Sequence, residues 1–209
     1  MSTTLFYRKP FIEWGVATQA IPGQNVSGDL HLVKPFGHGA LVAVVDGLGH
    51  GDEATAVAKT TVAVLEENPE QSVITLVKRC HDALRKTRGV VMTLASFNVL
   101  DSTVSWLGVG NVEGLLLRAD NLATPSSEYA MLRGGVVGYQ LPPLRASVIA
   151  IGPADLMILS SDGISSGFNR DLNASDPPQQ IADRIMSLHF KGNDDALVLV
   201  VRFLGTRHE

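Results

Sequence analysis

Val44-Val45-Asp46-Gly47-Leu48-Gly49-His50-Gly51 ends an unbroken apolar run, Ala40 to Val45, with an aspartate and a glycine-rich turn. An apolar run without alternation reads as a strand covered on both faces. Immediately after the turn, a helix is expected from about Asp52 to Glu67. Asp52 and Glu53 stand at its start, where carboxylates suit the exposed amides, and Pro69 ends it. A second helix is expected from about Glu70 to Thr87, stopping at Gly89. One buried strand thus delivers an aspartate to its C-terminal end, and two adjacent helices follow in place of a single crossover.

Working outward, the pattern on either side is β-rich. Phe11 to Ala20 and Leu30 to Val33 precede the central run, broken by Pro22-Gly23-Gln24-Asn25 and by Pro35-Phe36-Gly37-His38-Gly39. Val90 to Val99, Thr103 to Val109, Gly114 to Arg118, Ser147 to Ile151 and Leu156 to Ser160 follow the helices, separated by glycine or Asp-Ser turns. Ile164 to Phe168 reads as a helical turn and Pro177 to Leu188 as a helix. Leu197 to Phe203 is a last apolar strand, and Ala123 to Ser127 is a polar loop. Two helices after one strand group, then many strands, is not the alternation of a doubly wound parallel sheet. The expected class is α+β: a four-layer α-β-β-α sandwich, two antiparallel sheets flanked by helix pairs. No repeat, linker or low-complexity tract divides the chain, so residues 1–209 are expected to form one domain.

Composition excludes several function classes. The chain is 45% hydrophobic and 18% charged, enough apolar content for a sizeable core and too little charge for wholesale disorder. Its formal net charge of -4, with lysine and arginine scattered singly, argues against a nucleic-acid surface. The densest basic group, Arg79, Arg85, Lys86 and Arg88, reads as a solvated helix face and C-terminal turn. The one cysteine, Cys80, can form neither an intrachain disulfide nor a thiolate cage. It continues the apolar pattern Val73, Leu76, Val77, Leu84 and reads as a buried small hydrophobe. There is no signal-like N-terminus and no long apolar stretch, so no membrane role is expected and the location is expected to be cytoplasmic.

Two further motifs repeat the opening theme: Leu159-Ser160-Ser161-Asp162-Gly163-Ile164, and Asn193-Asp194-Asp195 leading into Ala196 to Val200. Each sets an aspartate against a β-rich run, and the first follows it with glycine. A carboxylate at a strand end can aim into a shared cleft, while glycine permits a sharp turn and a close carbonyl. Three such corners, far apart in sequence, suggest one oxygen-lined site for hard divalent cations, and hence metal-assisted hydrolysis with phosphate esters as substrates.

These residues, in this order, resemble the metal-dependent Ser/Thr protein phosphatases of the PP2C class, in their SpoIIE-like bacterial form. The resemblance runs from Ser27 to Phe203. It is carried by Ser27-Gly28-Asp29, the Asp46 to Gly51 turn, Gly108-Val109-Gly110-Asn111, Ser161-Asp162-Gly163 and Asp194-Asp195, with Gly134 to Tyr139 similar to a glycine-rich stretch of the bacterial branch. It implies two bound ions, Mn²⁺ or Mg²⁺. Asp46 would bridge them, the Gly47 carbonyl would bind one, and Asp162 and Asp194 would complete the shell of the second ion. Asp29 would act directly or through a water. Asp46, Asp162 and Asp194 are therefore the candidate catalytic residues. Asp195 is an alternative to Asp194, since a helix-to-strand turn explains one acid more easily than two. Asn111 fits either a hairpin turn or the cleft wall. Eukaryotic relatives place a histidine two positions after the bridging aspartate, where this chain has Leu48. His50, two further on, fits either an exposed position or the cleft, and His38 reads as a loop residue. No arginine matches the eukaryotic phosphate anchor.

The implied chemistry is hydrolysis of phosphoserine or phosphothreonine on partner proteins, with cations roughly 3.5–4 Å apart sharing and acidifying a water. The short form, without sensor domains, is similar to the stress-response feedback phosphatases of the bacterial stressosome, which makes STAS-domain stressosome components the expected signalling partners. Two other readings stay open. The fold could be a catalytically idle phosphoprotein-binding module, or it could hydrolyse small phosphate esters. Gly47 to Gly51 lacks the Lys-Ser/Thr ending of a nucleotide-binding P-loop.

Overall fold

A computed structural model describes residues 10–120 and 123–205. The expectation about a leader at the N-terminus falls partly on residues 1–9, outside the described residues. In chain order the elements are β1 (Ile12–Gln19), β2 (Asp29–Phe36), β3 (Gly39–Gly47), α1 (Asp52–Glu67), α2 (Val73–Ala83), β4 (Val90–Asn98), β5 (Thr103–Val109), β6 (Glu113–Leu117), β7 (Ser127–Tyr129), β8 (Leu132–Arg133), β9 (Ser147–Ala150), β10 (Leu156–Ser160), a 3-10 turn (Phe168–Asp171), α3 (Pro178–His189) and β11 (Ala196–Phe203).

The apolar run Ala40 to Val45 lies in β3, an interior strand of one sheet. β3 is buried along its length except at Asp46, which is half-buried. It pairs antiparallel with β2 and β4, and the sheet runs β2-β3-β4-β5-β8, with β9 also on β5. The second sheet runs β1-β11-β10-β6-β7, antiparallel throughout. The first and last long strands of the described chain, β1 and β11, pair from Ile12 against Phe203 to Gln19 against Ala196.

Apolar residues fall into three layers, and alternation along the strands sorts them. Val42 and Val44 face the second sheet, where they meet Leu159, Leu197 and Leu199. Leu41, Ala43 and Val45 face the other way and pack under α1 and α2 with Ala58, Leu65, Leu76 and Cys80. On the outer face of the second sheet, Ile158, Val198 and Val200 pack against Ile181 and Ile185 of α3. Asp46 shares the side of Val42 and Val44, so the inter-sheet parity that builds the core also points its carboxylate between the sheets.

The α+β sandwich matches the sequence expectation, with three corrections. The sheets are not purely antiparallel, because β5 and β8 are parallel. The helices are not two pairs. Among the described residues α1 and α2 cover one face, whereas the other carries α3 and the 3-10 turn. Finally, β7, which begins at the end of the expected loop Ala123 to Ser127, and β8 are strands the sequence did not announce. They are three and two residues long, too short to show any period. The second helix is also shorter than expected. Ser72 caps it, its hydroxyl accepting from the Thr75 amide at 3.2 Å.

Candidate active site

Asp29 and Asp46 are direct cross-strand partners in the β2–β3 ladder. Both belong to the inter-sheet side, so two carboxyls are forced together at the end of one sheet. Across the gap, β10 ends at Ser160 and β11 begins at Ala196, which brings the Asp162 and Asp194-Asp195 corners to the same end of the second sheet. Ser161 joins the two sides. Its amide donates to the Leu197 carbonyl at 3.0 Å, its hydroxyl oxygen accepts from the Leu197 amide at 2.8 Å, and the hydroxyl is close enough to the Asp29 carboxyl to favour its charged form.

Both Asp-Gly pairs sit where backbones nearly touch. A Cβ on Gly47 would lie 2.2 Å from the Ala54 carbonyl oxygen, and one on Gly163 would lie 2.0 Å from that of Asp195. Neither glycine has positive φ. The requirement is therefore close approach rather than left-handed backbone. Gly47 lets α1 press on the strand end, and Gly163 lets the second acidic corner lie against the third.

The two acids of that third corner are not equivalent. Asp195 is buried, 3% exposed. Its Oδ1 accepts from the Ile21 amide at 2.8 Å and its Oδ2 from the Gly28 amide at 2.6 Å. Asp195 therefore ties β11 to the loop leading into β2, with both oxygens engaged by backbone. Asp194 is exposed, and its Oδ1 accepts from the Asp195 amide at 2.8 Å.

Asp162 is half-buried, with Oδ2 accepting from the Asn111 side-chain amide at 2.7 Å. Asn111 thus reaches from the turn between β5 and β6 to the acidic cluster. His50 is exposed, and its Nδ1 lies 2.7 Å from the Gln24 amide nitrogen. That contact fixes it to the β1–β2 loop and not to any aspartate. His38 sits in the β2–β3 turn beside Phe36.

Electrostatics match the crowding. Burial pushes the Asp29 carboxyl up to about 7, with Asp195, Asp162 and Asp194 adding to the rise and Ser161 opposing it. Burial pushes Asp46 up to about 8, and Asp29, Asp162, Asp194 and Asp195 push the same way. Asp162 is also raised, by burial and by Asp194, against Lys191 and Asn111. Asp29 Oδ2 is buried without a hydrogen-bond partner, a costly state for an acceptor.

These observations test the residues against a divalent cation. The donor set is all hard oxygen, the carboxyls are close enough to disfavour each other's charge, and one buried oxygen lacks a partner; each fits Mn²⁺ or Mg²⁺. The cluster is not a closed cage. Among the described residues, no group of three or more His, Cys, Asp or Glu side chains is gathered tightly enough to hold an ion as it stands.

A pH dependence follows with a definite sign. Folded Asp29 and Asp46 hold protons that the unfolded chain releases in the ordinary carboxylate range. Their contribution to stability is therefore full at low pH and is lost as pH rises toward about 8. A bound cation reverses that loss by pairing the charges. Mn²⁺ should raise the unfolding temperature more at about pH 8 than at about pH 6. Equal shifts at both values would mean that these carboxyls bind no cation.

Two residues near the site carried no signal in the sequence. Arg88, read there as helix surface, donates from Nη1 to the Leu48 carbonyl at 3.0 Å and pairs through Nη2 with Glu53. It therefore braces the turn after Asp46. Lys191 donates from Nζ to the Asp162 carbonyl at 2.6 Å. Both follow helices in irregular segments, where periodicity gives no direction to a side chain.

Comparison with known proteins gives consistent relationships. Residues 37–204 match the family model described as Stage II sporulation protein E (SpoIIE). The chain is 27% identical over 145 residues to phosphoserine phosphatase RsbX of Bacillus subtilis (strain 168), covering 68% of this chain and 70% of that protein. Among solved structures, a chain from a study of the bacterial stressosome as a modular system adapted to control secondary messenger signaling superposes with a TM-score of 0.83. It is 28% identical, and the match covers 91% of this chain and 99% of the other. A structure of RsbX in complex with magnesium gives 0.81 at 19% identity, covering 94% and 97%. The PP2C phosphatase domain of SpoIIE from Bacillus subtilis gives 0.76 at 22%, covering 94% and 64%. The last two establish likeness of fold.

Proposed function

The chain belongs to the SpoIIE family of PP2C-type phosphatases, and from that premise we propose that it removes phosphate from phosphoserine or phosphothreonine on partner proteins. The proposed substrates are STAS-domain components of a stressosome, in the cytoplasm. The observation that carries the reading is the in-register pairing of Asp29 with Asp46 opposite the Asp162 corner, with an unpartnered buried oxygen on Asp29. Support for the partner class comes from the likeness to RsbX and to the stressosome-associated chain.

In this reading Asp46, Asp162 and Asp194 hold two cations, with Asp29 and the Gly47 carbonyl completing the oxygen shell. Mn²⁺ or Mg²⁺, when bound, supplies Lewis acidity that lowers the pKa of water and neutralises the phosphoryl oxygens. The protein supplies position. Asn111 fixes the Asp162 carboxylate by donating to one of its oxygens. Ser161 locks the start of β11 and favours the charged form of Asp29 beside it. Asp195, with both oxygens on backbone amides, is assigned as a positioning residue rather than a ligand. Hydrolysis forms a bond from water oxygen to phosphorus and breaks the ester bond to the serine or threonine oxygen, which leaves as the alcohol. His50 is held by Gln24 and takes no part in this assignment.

The direct test is Mn²⁺-dependent hydrolysis of para-nitrophenyl phosphate by wild type and Asp162→Asn, followed by release of phosphate from a phosphorylated STAS-domain protein. Wild type should turn over only with metal. Asp162→Asn should lose roughly a hundredfold or more, as expected when a metal ligand is neutralised. A wild type that binds Mn²⁺ and the phosphoprotein but hydrolyses neither substrate would make the chain an idle phosphoprotein-binding module. Hydrolysis of the small ester without any release from the STAS protein would overturn the partner class alone.

A further inference from the structure

We propose that Lys191 is a substrate-binding residue that holds the phosphoryl group at the rim of the acidic cleft. This rests on the phosphatase reading above, and it names a group that receives the phosphate.

The placement of Lys191 is built rather than incidental. Phe190, at the end of α3, forms a bridge with Ile164. The Lys191 amide then donates to the Gly163 carbonyl at 2.9 Å, and its Nζ donates to the Asp162 carbonyl at 2.6 Å. Backbone and side chain are thus both fastened to the Asp162-Gly163 corner. An ammonium has three N–H bonds. One goes to the Asp162 carbonyl, and the side chain remains exposed, so the others can turn to an oxygen arriving from solvent.

Charge supports the same assignment. A phosphomonoester dianion approaching Asp29, Asp46, Asp162 and Asp194 meets repulsion that cations alone must offset. Among the described residues Lys191 is the cation whose charge reaches the Asp162 carboxylate, and no lysine or arginine acts on Asp29 or Asp46. Arg88 also lies beside the turn after Asp46, but the Leu48 carbonyl and the Glu53 carboxylate already take its guanidinium. A lysine ammonium binds phosphate as a point charge without demanding planar geometry. It also suits the rim of a cleft that must accept a serine or threonine on a protein surface.

The test is calorimetric titration of inorganic phosphate into Mn²⁺-loaded wild type, Lys191→Met and Lys191→Arg, with Mn²⁺ affinity measured on each. Lys191→Met keeps the aliphatic stem and removes the charge. It should weaken phosphate about tenfold, the loss of one charge-assisted hydrogen bond at an exposed site, with Mn²⁺ affinity unchanged. Lys191→Arg should stay within about twofold of wild type. On para-nitrophenyl phosphate the Met variant should raise KM at nearly constant kcat, the mark of a contact made equally before and in the transition state. Wild-type phosphate affinity in Lys191→Met would overturn the proposal. So would a parallel loss of Mn²⁺ affinity, which would mean that Lys191 only steadies the Asp162 corner. If wild type hydrolyses nothing, the phosphatase reading fails, while the phosphate titration still decides Lys191.

Discussion

Asp46→Asn is expected to lower turnover of para-nitrophenyl phosphate by roughly 10³-fold at saturating Mn²⁺ and to leave the fold intact. The two halves of that result have separate causes. Asn has the shape of Asp, so the β2–β3 pairing with Asp29 survives. It cannot supply the negative charge that a shared cation ligand needs. Without metal, Asp46 is already pushed up to about 8 by burial and four neighbouring carboxyls. The metal-free variant should therefore be at least as stable as metal-free wild type at about pH 8, because it has no charge to bury. With Mn²⁺ the order should reverse, since only wild type gains the full binding free energy. Thermal unfolding with and without Mn²⁺, read beside kcat, checks both halves. Wild-type activity in the variant would end the assignment of Asp46 as the shared ligand.

Asp195→Ala should do the opposite, damaging the fold first. Asp195 is buried, and its two oxygens accept from Ile21 and Gly28. Removing the carboxylate leaves two backbone amides to find new partners. The expected loss is about 3 kcal/mol, at the scale of stranded hydrogen bonds to a buried charge. That corresponds to a fall of roughly 6–12 °C in unfolding temperature for a chain of this size. Relief of repulsion with Asp29 works against the loss without cancelling it, because it removes no unsatisfied donor. Asp194→Asn, at an exposed neighbour with no such duty, should leave stability unchanged and weaken Mn²⁺ binding instead. If Asp195→Ala unfolds at the wild-type temperature, the clamp contributes nothing measurable.

How far the sequence was legible depended on what each residue does. Ala40 to Val45 declared a strand buried on both faces because it had no polar alternation, and it is one. Asp52 to Glu67 declared α1 through its acidic start and the proline after its end, and its bounds agree. The in-register meeting of Asp29 and Asp46 could not be read from spacing, since register is set by a turn and by core packing. The different duties of Asp194 and Asp195 were equally hidden. Two adjacent acids look alike in a sequence, and only the approach of the loop from Ile21 to Gly28 separates them. Glycine after Asp46 and Asp162 was noticed for the right positions but for a partly different cause. The structure needs the absent Cβ rather than an unusual φ. The helix from Pro177 to Leu188 was legible, but that the second sheet carries one helix and a short turn among the described residues, rather than a pair, was not, because such a difference leaves no deficit visible in composition.

The pairing of β1 with β11 has a consequence for how the protein comes to exist in the cell. The strand made among the first of the described residues waits for the strand made among the last, and β10, already able to pair with β6, lacks its other neighbour until then. During synthesis the sheet carrying Asp162 therefore cannot close while β2 and β3, with Asp29 and Asp46, can already form a hairpin. Such distant pairing makes assembly slow relative to local helix formation. A nascent chain would carry half an acidic cleft and no means of completing it. Activity thus switches on only when the final strand docks, so fragments truncated before Ala196 cannot release phosphate from any partner they meet.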